Sequence, residues 1–176
     1  MTAGAVSALI GRRAQASMAR AVRLEELVGR SRHVLLGEPL DAYCQWERIG
    51  DRKHIVTYTR VRAHELLGGE DPKQDELLIR TLGGRVGELG QLVHGEARLR
   101  IAARGVLFVM PTQGALAVTA MAQGHYPLKR DSAGIELLDR SPAATELLDE
   151  ADSAVRRLTG LRVKDARSLV QQAVKR

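Results

Sequence analysis

Short strand-like runs separated by turn residues fill the sequence from about residue 33 to residue 138, and this pattern constrains the fold most. The runs His54–His64, Glu76–Leu82 and Val106–Met110 are rich in β-forming or apolar residues, and glycine or proline lies close to their ends. Short strands at close intervals are typical of a β-barrel or a β-sandwich. We therefore expect an all-β core in the middle of the chain.

The run from His54 to His64 has the alternation of a half-buried strand. One face is small and apolar, and the other is basic and mixed. The first face carries Ile55, Thr57, Thr59, Val61 and Ala63, and the second carries Val56, Tyr58, Arg60, Arg62 and His64.

The runs around this strand complete the predicted sheet. His33–Leu40 predicts the first strand, and Leu66–Pro72 is predicted to be a loop because glycine, charge and proline follow one another. Ala115–Ala122 predicts a further strand. Two more runs, Tyr126–Arg130 and Gly134–Leu138, predict a final hairpin.

Helical spacing is confined to the two ends. Val22–Val28 predicts a short helix that Gly29 ends. Ser141 and Pro142 form an N-cap and N1 pair before apolar residues at helical spacing up to Leu158. A last helix is predicted from about Lys164 to Val174. We expect a flexible arm or degenerate leader at 1–21, a β-barrel domain at 22–140, and a helical tail at 141–176 packed on the barrel or on a partner.

The positive charge lies mainly at the two ends of the chain. The net charge is +6, but residues 31–140 hold fifteen Lys and Arg against fourteen Asp and Glu. A nucleic-acid surface clusters its cations on one face. Arg60, Arg62 and His64, with Tyr58 and Trp46 near them in sequence, are the one candidate platform for a single strand.

No arrangement in the sequence indicates catalysis, a metal or a cofactor. Cys44 is the only cysteine, which excludes an internal disulfide, and the five histidines lack the spacing of a helical metal pair. Five glycines fall between Gly83 and Gly95, but they match neither phosphate-binding fingerprint. We expect this glycine-rich stretch to be an irregular flap with several positive φ angles.

A family resemblance covers roughly residues 22–140, including Ser31–Gly37, Ile55–Val61 and Leu66–Gly68, and three further segments carry its closest part. Arg80–Ala97 (RTLGGRVGELGQLVHGEA), Val106–Val109 and Met121–Tyr126 resemble a largely uncharacterised family of secreted bacterial proteins of the myxobacterial type. The strand order is more distantly similar to netrin-like domains and tissue inhibitors of metalloproteinases. The resemblance implies a mainly β fold with some α-helix. It consists of a small OB-like barrel of five to six strands, a short N-terminal helix and a C-terminal helical tail.

The same resemblance implies a periplasmic or secreted protein. At the N-terminus, however, Arg12 and Arg13 follow the short apolar stretch, whereas a secretory signal has its charges first. A cytoplasmic location is therefore the alternative. The inhibitors chelate zinc through an N-terminal cysteine, and this chain begins with Met1, so that mechanism is not carried over.

These observations favour a non-enzymatic binding or accessory domain with a protein partner, and the resemblance points to a protease-associated or protease-inhibitor-like role. The alternatives are an intracellular nucleic-acid-binding OB domain, an enzyme, and self-association through the terminal helices. The predicted binding residues lie in the segments that carry the resemblance. They are Arg85, Glu88, Gln91, His94, Gln123 and His125.

Overall fold

The computed structural model describes residues 19–174 and is mainly β. Its strands and helices are, in chain order, β1 (Ala19–Arg20), α1 (Leu24–Arg30), β2 (His33–Ile49), β3 (Arg52–Gly69), β4 (Glu76–Leu82), β5 (Gly84–Val86), β6 (Leu89–Gln91), β7 (Gly105–Thr112), β8 (Ala115–Val118), β9 (His125–Arg130), β10 (Glu136–Leu138), β11 (Leu147–Leu148), α2 (Ala154–Leu158) and α3 (Val163–Val174). Short 3₁₀ turns lie at Met121–Gly124 and Glu150–Asp152.

Seven strands form one sheet, and five of them hydrogen-bond in a ring. The sheet order is β10-β9-β7-β2-β3-β4-β8, and β7 also pairs with β8. The pairing of β4 with β8 is parallel, through Ile79 with Leu116 and Arg80 with Ala117. The other four pairings of the ring are antiparallel. A ring leaves few open edges within it.

Two apolar clusters lie on opposite faces of this sheet. The first half of β2 contributes to both, because Leu35 belongs to one cluster while Val34 and Leu36 belong to the other. One cluster is formed by Leu35, Val61, Ile79, Ala97, Leu107, Val109 and Val118. The other lies under the helices and includes Leu24, Leu27, Val34, Phe108, Tyr126, Leu158, Ala166 and Val170. The continuous apolar runs of β2 and β7 follow from this two-sided burial.

The helices cover one outer face of the sheet. The predicted apolar face of α1 is confirmed, since Leu24, Leu27 and Val28 are buried, although α1 continues past Gly29 to Arg30. The last predicted helix is confirmed as α3, with Ala166 and Val170 fully buried.

The predicted loop Leu66–Pro72 is wrong in its first half, because β3 continues to Gly69. The glycines there serve close packing instead of a turn. A Cβ on Gly68 would lie 2.6 Å from Val170 Cγ1, and one on Gly69 would lie 2.3 Å from the Arg32 carbonyl oxygen. The glycines therefore let α3 and the start of β2 approach the strand.

Two further predictions need correction. The strand predicted at Ala115–Ala122 ends at Val118, after which Ala120 and Met121 adopt positive φ angles. The helix predicted from Ser141 to Leu158 is mostly absent; only α2 at its end is helical. The Arg140 guanidinium donates to the carbonyls of Ala144 and Thr145 and so stabilises a non-helical path.

Most of the predicted N-terminal arm, residues 1–18, lies outside the described residues. Among residues 19–174, no helix combines the length and the apolar character needed to cross a membrane.

Candidate functional site

The β2–β3 hairpin projects beyond the ring and leaves one of its edges unpaired. The two strands pair along their length to the turn at Gly50–Asp51. On its other side, β2 pairs with β7 only over 33–37. Residues 41–49 of β2 therefore have no strand neighbour on that side among the described residues. We call this segment the free edge.

Alternation along the hairpin fixes which backbone groups point to the free edge. Ile55 directs its N–H and C=O away from β2, to the Gln91 side chain and to Gly83 N. Because Trp46 is opposite Ile55, it forms a non-hydrogen-bonded pair, and its own N–H and C=O point outward. The same holds at every second residue. The outward-pointing set is Ala42, Cys44, Trp46 and Arg48.

Three of the chain's five aromatic residues lie on this half of the hairpin. Tyr43 and Trp46 are 53% and 44% exposed. The rings of Tyr43 and Tyr58 stack with centroids 5.3 Å apart. Of nine exposed large apolar side chains among the described residues, five lie on the hairpin end or on and beside the adjoining β5–β6 turn. These five are Tyr43, Trp46, Ile49, Leu89 and Leu92. Such clustering of aromatic and apolar residues is typical of an interaction surface.

The outer face of β3 and β4 is neutralised by ion pairs. Arg60 pairs with Asp41 and Glu76, and Arg62 lies 3.4 Å from Glu76. His64 Nε2 lies 2.9 Å from a Glu38 carboxylate oxygen. The predicted nucleic-acid platform of Arg60, Arg62 and His64 is thus bound to carboxylates, whereas phosphate binding needs available cations.

Glu47 is held at the centre of this face. Its carboxylate accepts a hydrogen bond from the Tyr58 hydroxyl at 2.6 Å and two from the Arg80 guanidinium. The Tyr58 hydroxyl, and then Arg80, hold the pKa of Glu47 below its ordinary value. These contacts fix Tyr58 beneath the Tyr43 ring, so the exposed ring has a rigid support.

The hairpin tip carries three cations that, unlike Arg60 and Arg62, are not bound to a carboxylate in the described part of the chain. Arg48, Arg52 and Lys53 are exposed and make no ion pair with any described residue. Asp51 is the one acidic residue between them. The tip is therefore positively charged, in contrast to the neutralised face of β3 and β4.

The glycine-rich stretch forms an ordered hairpin, β5–β6, which we call the flap (Gly84–Gln91). The predicted positive φ angles are confirmed at Gly83, Gly84, Gly87 and Gly95 but not at Gly90. The predicted irregular conformation is wrong, because Gly84–Val86 pairs with Leu89–Gln91. A Cβ on Gly84 would lie 2.6 Å from Cys44 Sγ and 2.5 Å from Thr57 Oγ1, so the flap crosses directly over the hairpin.

The structure places the predicted binding residues in two separate regions. Arg85 and Glu88 are exposed on the flap, and His94 is exposed beyond it. Gln91 is half-buried and anchors the flap, because its side-chain oxygen accepts from Ile55 N and its nitrogen lies 3.0 Å from His54 Nδ1.

Gln123 and His125 form the second region, in the interior. Gln123 accepts a hydrogen bond from Val22 N and donates one to the Arg20 carbonyl, so it holds the segment before α1. His125 is 6% exposed, and burial lowers its pKa to about 4. Its Nδ1 lies 3.4 Å from Ser141 Oγ. Both side chains make contacts that stabilise the fold.

Cys44 and the histidines show no metal-binding arrangement within the described part of the chain. No group of three His, Cys, Asp or Glu side chains there could hold a metal ion. The nearest polar partner of Cys44 is Thr57 Oγ1, at 3.3 Å.

The free edge is the feature that the sequence interpretation missed. In the structure, the two strands on either side of Gly50–Asp51 extend over 17 and 18 residues, beyond the runs predicted at His33–Leu40 and His54–His64. Strands in globular proteins are usually three to ten residues long. A hairpin of such length must either bend around the ring or project from it.

In the comparisons with known proteins, no family model, curated protein or solved structure matches this chain.

Proposed function

We propose that this protein is a non-enzymatic binding domain that recruits a protein partner by strand addition at the free edge of β2. The partner supplies an extended acidic segment that pairs with the outward groups of Ala42, Cys44, Trp46 and Arg48. The observation that carries the proposal is an unpaired strand edge bearing an exposed tyrosine and the only tryptophan. Strand addition obtains affinity from main-chain hydrogen bonds and specificity from alternate side chains.

The acidic character of the partner is argued from charge. The carboxylates of Asp41 and Glu47 are bound to Arg60 and Arg80, so they contribute little available charge. The cations of the tip, Arg48, Arg52 and Lys53, form no ion pair within residues 19–174. An acidic segment running along the edge towards the tip would meet complementary charge, which raises association rates and fixes orientation.

We further propose that the ring is an OB-type barrel. Counted along the chain, the five ring strands close in the order 1-2-3-5-4-1, with the third and fifth parallel, and this connectivity supports the proposal. OB domains bind ligands at the second and third strands and at the loops joining strands 1–2 and 4–5. The hairpin tip corresponds to the first of these loops. A protease-associated role and an extracytoplasmic location stay proposals that rest on the resemblance alone.

The second candidate is single-stranded nucleic acid. One observation favours it: Tyr43 and Trp46 lie near the three unpaired cations of the tip, and stacking beside basic residues is how such domains hold a single strand. The neutralised outer face of β3 and β4 favours the protein partner instead.

Fluorescence of Trp46, the single tryptophan, tests the proposal. The full chain is titrated with a synthetic peptide of alternating glutamate and valine residues, and we expect a saturable change in emission. The matched variants are Ala42→Pro, which removes one outward N–H and no bond to β3, and Ala42→Val, which keeps it. We expect Ala42→Pro to abolish the change and Ala42→Val to retain it.

Three controls define the contrary results. A lysine–valine peptide should bind more weakly; equal binding would contradict the acidic partner. Equal binding by Ala42→Pro would contradict strand addition. Oligothymidine is the third probe: tight binding that falls steeply with salt and is unaffected by Ala42→Pro would replace the proposal with the nucleic-acid candidate.

A further inference from the structure

A cleft of about 310 Å³ opens beneath the root of the flap, apart from the free edge. Its wall is the inner face of β3 and β4, and its other side is the connection between β6 and β7. Threonine residues supply the polar part of the wall. The lining includes Thr57, Thr59, Thr81, Gln91, Glu96 and Arg98. This volume is at the lower end of the range for small-molecule sites.

Two of the threonine hydroxyls in this cleft have no hydrogen-bond partner among the described residues. Thr57 is satisfied, because its hydroxyl donates to the Gly83 carbonyl at 2.6 Å. Thr59 and Thr81 are 1% and 6% exposed, and no hydrogen bond to either hydroxyl is present. Neither oxygen is among the buried polar atoms that are sealed off without a partner. Both hydroxyls therefore have access to the cleft.

The two hydroxyls are neighbours on the same wall. Thr57 is directly opposite Thr81 in the pairing of β3 with β4, and Thr59 is two residues further along β3. Diagonal pairs of this kind have their Cβ atoms within about 8 Å of each other. Hydroxyls that face the cleft have lone pairs with which they can accept hydrogen bonds from a ligand.

Glu96 adds a buried carboxyl group to the same cleft. It is 8% exposed, and its Oε1 accepts a hydrogen bond from Ala97 N at 3.1 Å. It makes no ion pair among the described residues: Arg80, the cation that acts on it through space, is bound to Glu47, and Arg98, which also lines the cleft, is exposed to solvent. The backbone N–H groups of Leu82 and Ala97 partly stabilise its charged form. Burial raises the pKa of Glu96 above its ordinary value. A buried carboxyl group without a counterion favours its neutral form, and a cation bound next to it would instead favour the carboxylate.

We propose that this cleft binds a small molecule through a primary ammonium group, with Glu96, Thr59 and Thr81 as the acceptors. An ammonium has three N–H donors and no acceptor, and the cleft offers three side chains with lone pairs. A neutral alcohol would bond to the hydroxyls but would offer no positive charge to the Glu96 carboxyl group. The proposal goes beyond the recruitment of a protein partner and does not depend on it.

The test follows the backbone amide signals of Thr59, Thr81 and Glu96 by NMR in the full chain. The probes are ethylammonium, tetramethylammonium, which lacks N–H donors, and ethanol, which lacks charge. We expect saturable shifts with ethylammonium alone. Ligands of so few atoms bind weakly, so the titration extends to about 100 mM.

Three variants separate binding from folding. Glu96→Gln should weaken ethylammonium binding at least about tenfold, because it removes a charged hydrogen bond. The thermal midpoint of each variant is measured alongside, so that a loss of binding is distinguished from a loss of folding. Thr81→Val should weaken binding, whereas Thr81→Ser should preserve it.

The proposal is overturned if ethylammonium does not change the amide signals, or if ethanol or tetramethylammonium changes them equally. It is also overturned if Glu96→Gln binds ethylammonium as tightly as the parent chain. Glu88→Gln, on the exposed flap, is the control that should bind ethylammonium as the parent chain does. None of these outcomes depends on the free edge, so the two proposals fail separately.

Discussion

The helix-covered core and the projecting hairpin end use aromatic side chains in opposite ways. Phe108 and Tyr126 are fully buried and meet edge to face, with ring centroids 5.9 Å apart. Tyr43 and Trp46 are about half exposed on a hairpin that packs on one side only. Burial of an aromatic ring stabilises the fold. An exposed pair on a strand with one free edge contributes little to stability, which leaves these residues available for an interaction.

The largest expected effect is the loss of a core ring. Phe108→Ala should lower the free energy of unfolding by about 3–5 kcal/mol, because it removes buried area and leaves a cavity. Trp46→Ala should lower it by less than about 1 kcal/mol, as is usual for exposed sites. Denaturation with urea measures both. Equal decreases in the free energy of unfolding for the two variants would contradict the view that the core rings stabilise the fold and the hairpin rings do not.

The pH dependence of stability should come from the core. Burial lowers the pKa of His125 to about 4 from 6.5, so the folded state favours the neutral ring. The contribution of neutral His125 to the free energy of unfolding is therefore fully present above pH 6.5 and is lost as the pH falls towards 4. The total loss should be about 3 kcal/mol.

Unfolding free energies measured from pH 7.5 to pH 4 test this expectation. His125→Gln should flatten the dependence, whereas His94→Gln, at an exposed position, should leave it in place. A steep dependence that persists in His125→Gln would assign the acid sensitivity to another group.

A smaller effect distinguishes two glycines next to helices. Gly68→Ala should cost about 1–3 kcal/mol, because the new Cβ would lie 2.6 Å from Val170 Cγ1 and displace α3. Gly29→Ala should instead stabilise the protein by about 0.5–1 kcal/mol, since the site lies within α1 and is open. Thermal denaturation compares the two. A neutral Gly68→Ala would mean that α3 does not pack tightly against β3.

The smallest expected effect lies on the outer face of β3. Arg62→Gln removes one exposed ion pair with Glu76 and should change stability by less than about 1 kcal/mol. Oligothymidine binding should be unchanged as well. Weaker oligonucleotide binding in this variant would show that the face contributes cations despite its ion pairs.

The sequence correctly predicted the strands and helices whose ends are determined by residues close to them in the sequence. Strand β4 was predicted residue for residue at Glu76–Leu82, and the alternation of β3 agrees with the burial of Thr59 and Val61 beside exposed Arg60 and Arg62. Helix α3 was predicted to within one residue because its apolar stripe is regular.

Tertiary contacts determined the rest. The spacing of Leu147, Leu148 and Val155 resembled one helix, but only Val155 lies in a helix, because the bonds of Arg140 to two carbonyls hold the preceding chain in another path. The flap residues Arg85 and Glu88 could be predicted as exposed. The free edge could not, because it depends on where β7 stops pairing with β2.

Amide hydrogen exchange along β2 tests the central claim most directly. In the free protein, the outward amides of Ala42, Cys44 and Trp46 should exchange fast, while those of Tyr43 and Gln45, which donate to β3, should exchange slowly. The acidic peptide should slow the outward set alone. Outward amides that are already protected without the peptide, or that stay fast at saturation with it, would contradict an edge that is open to a partner strand.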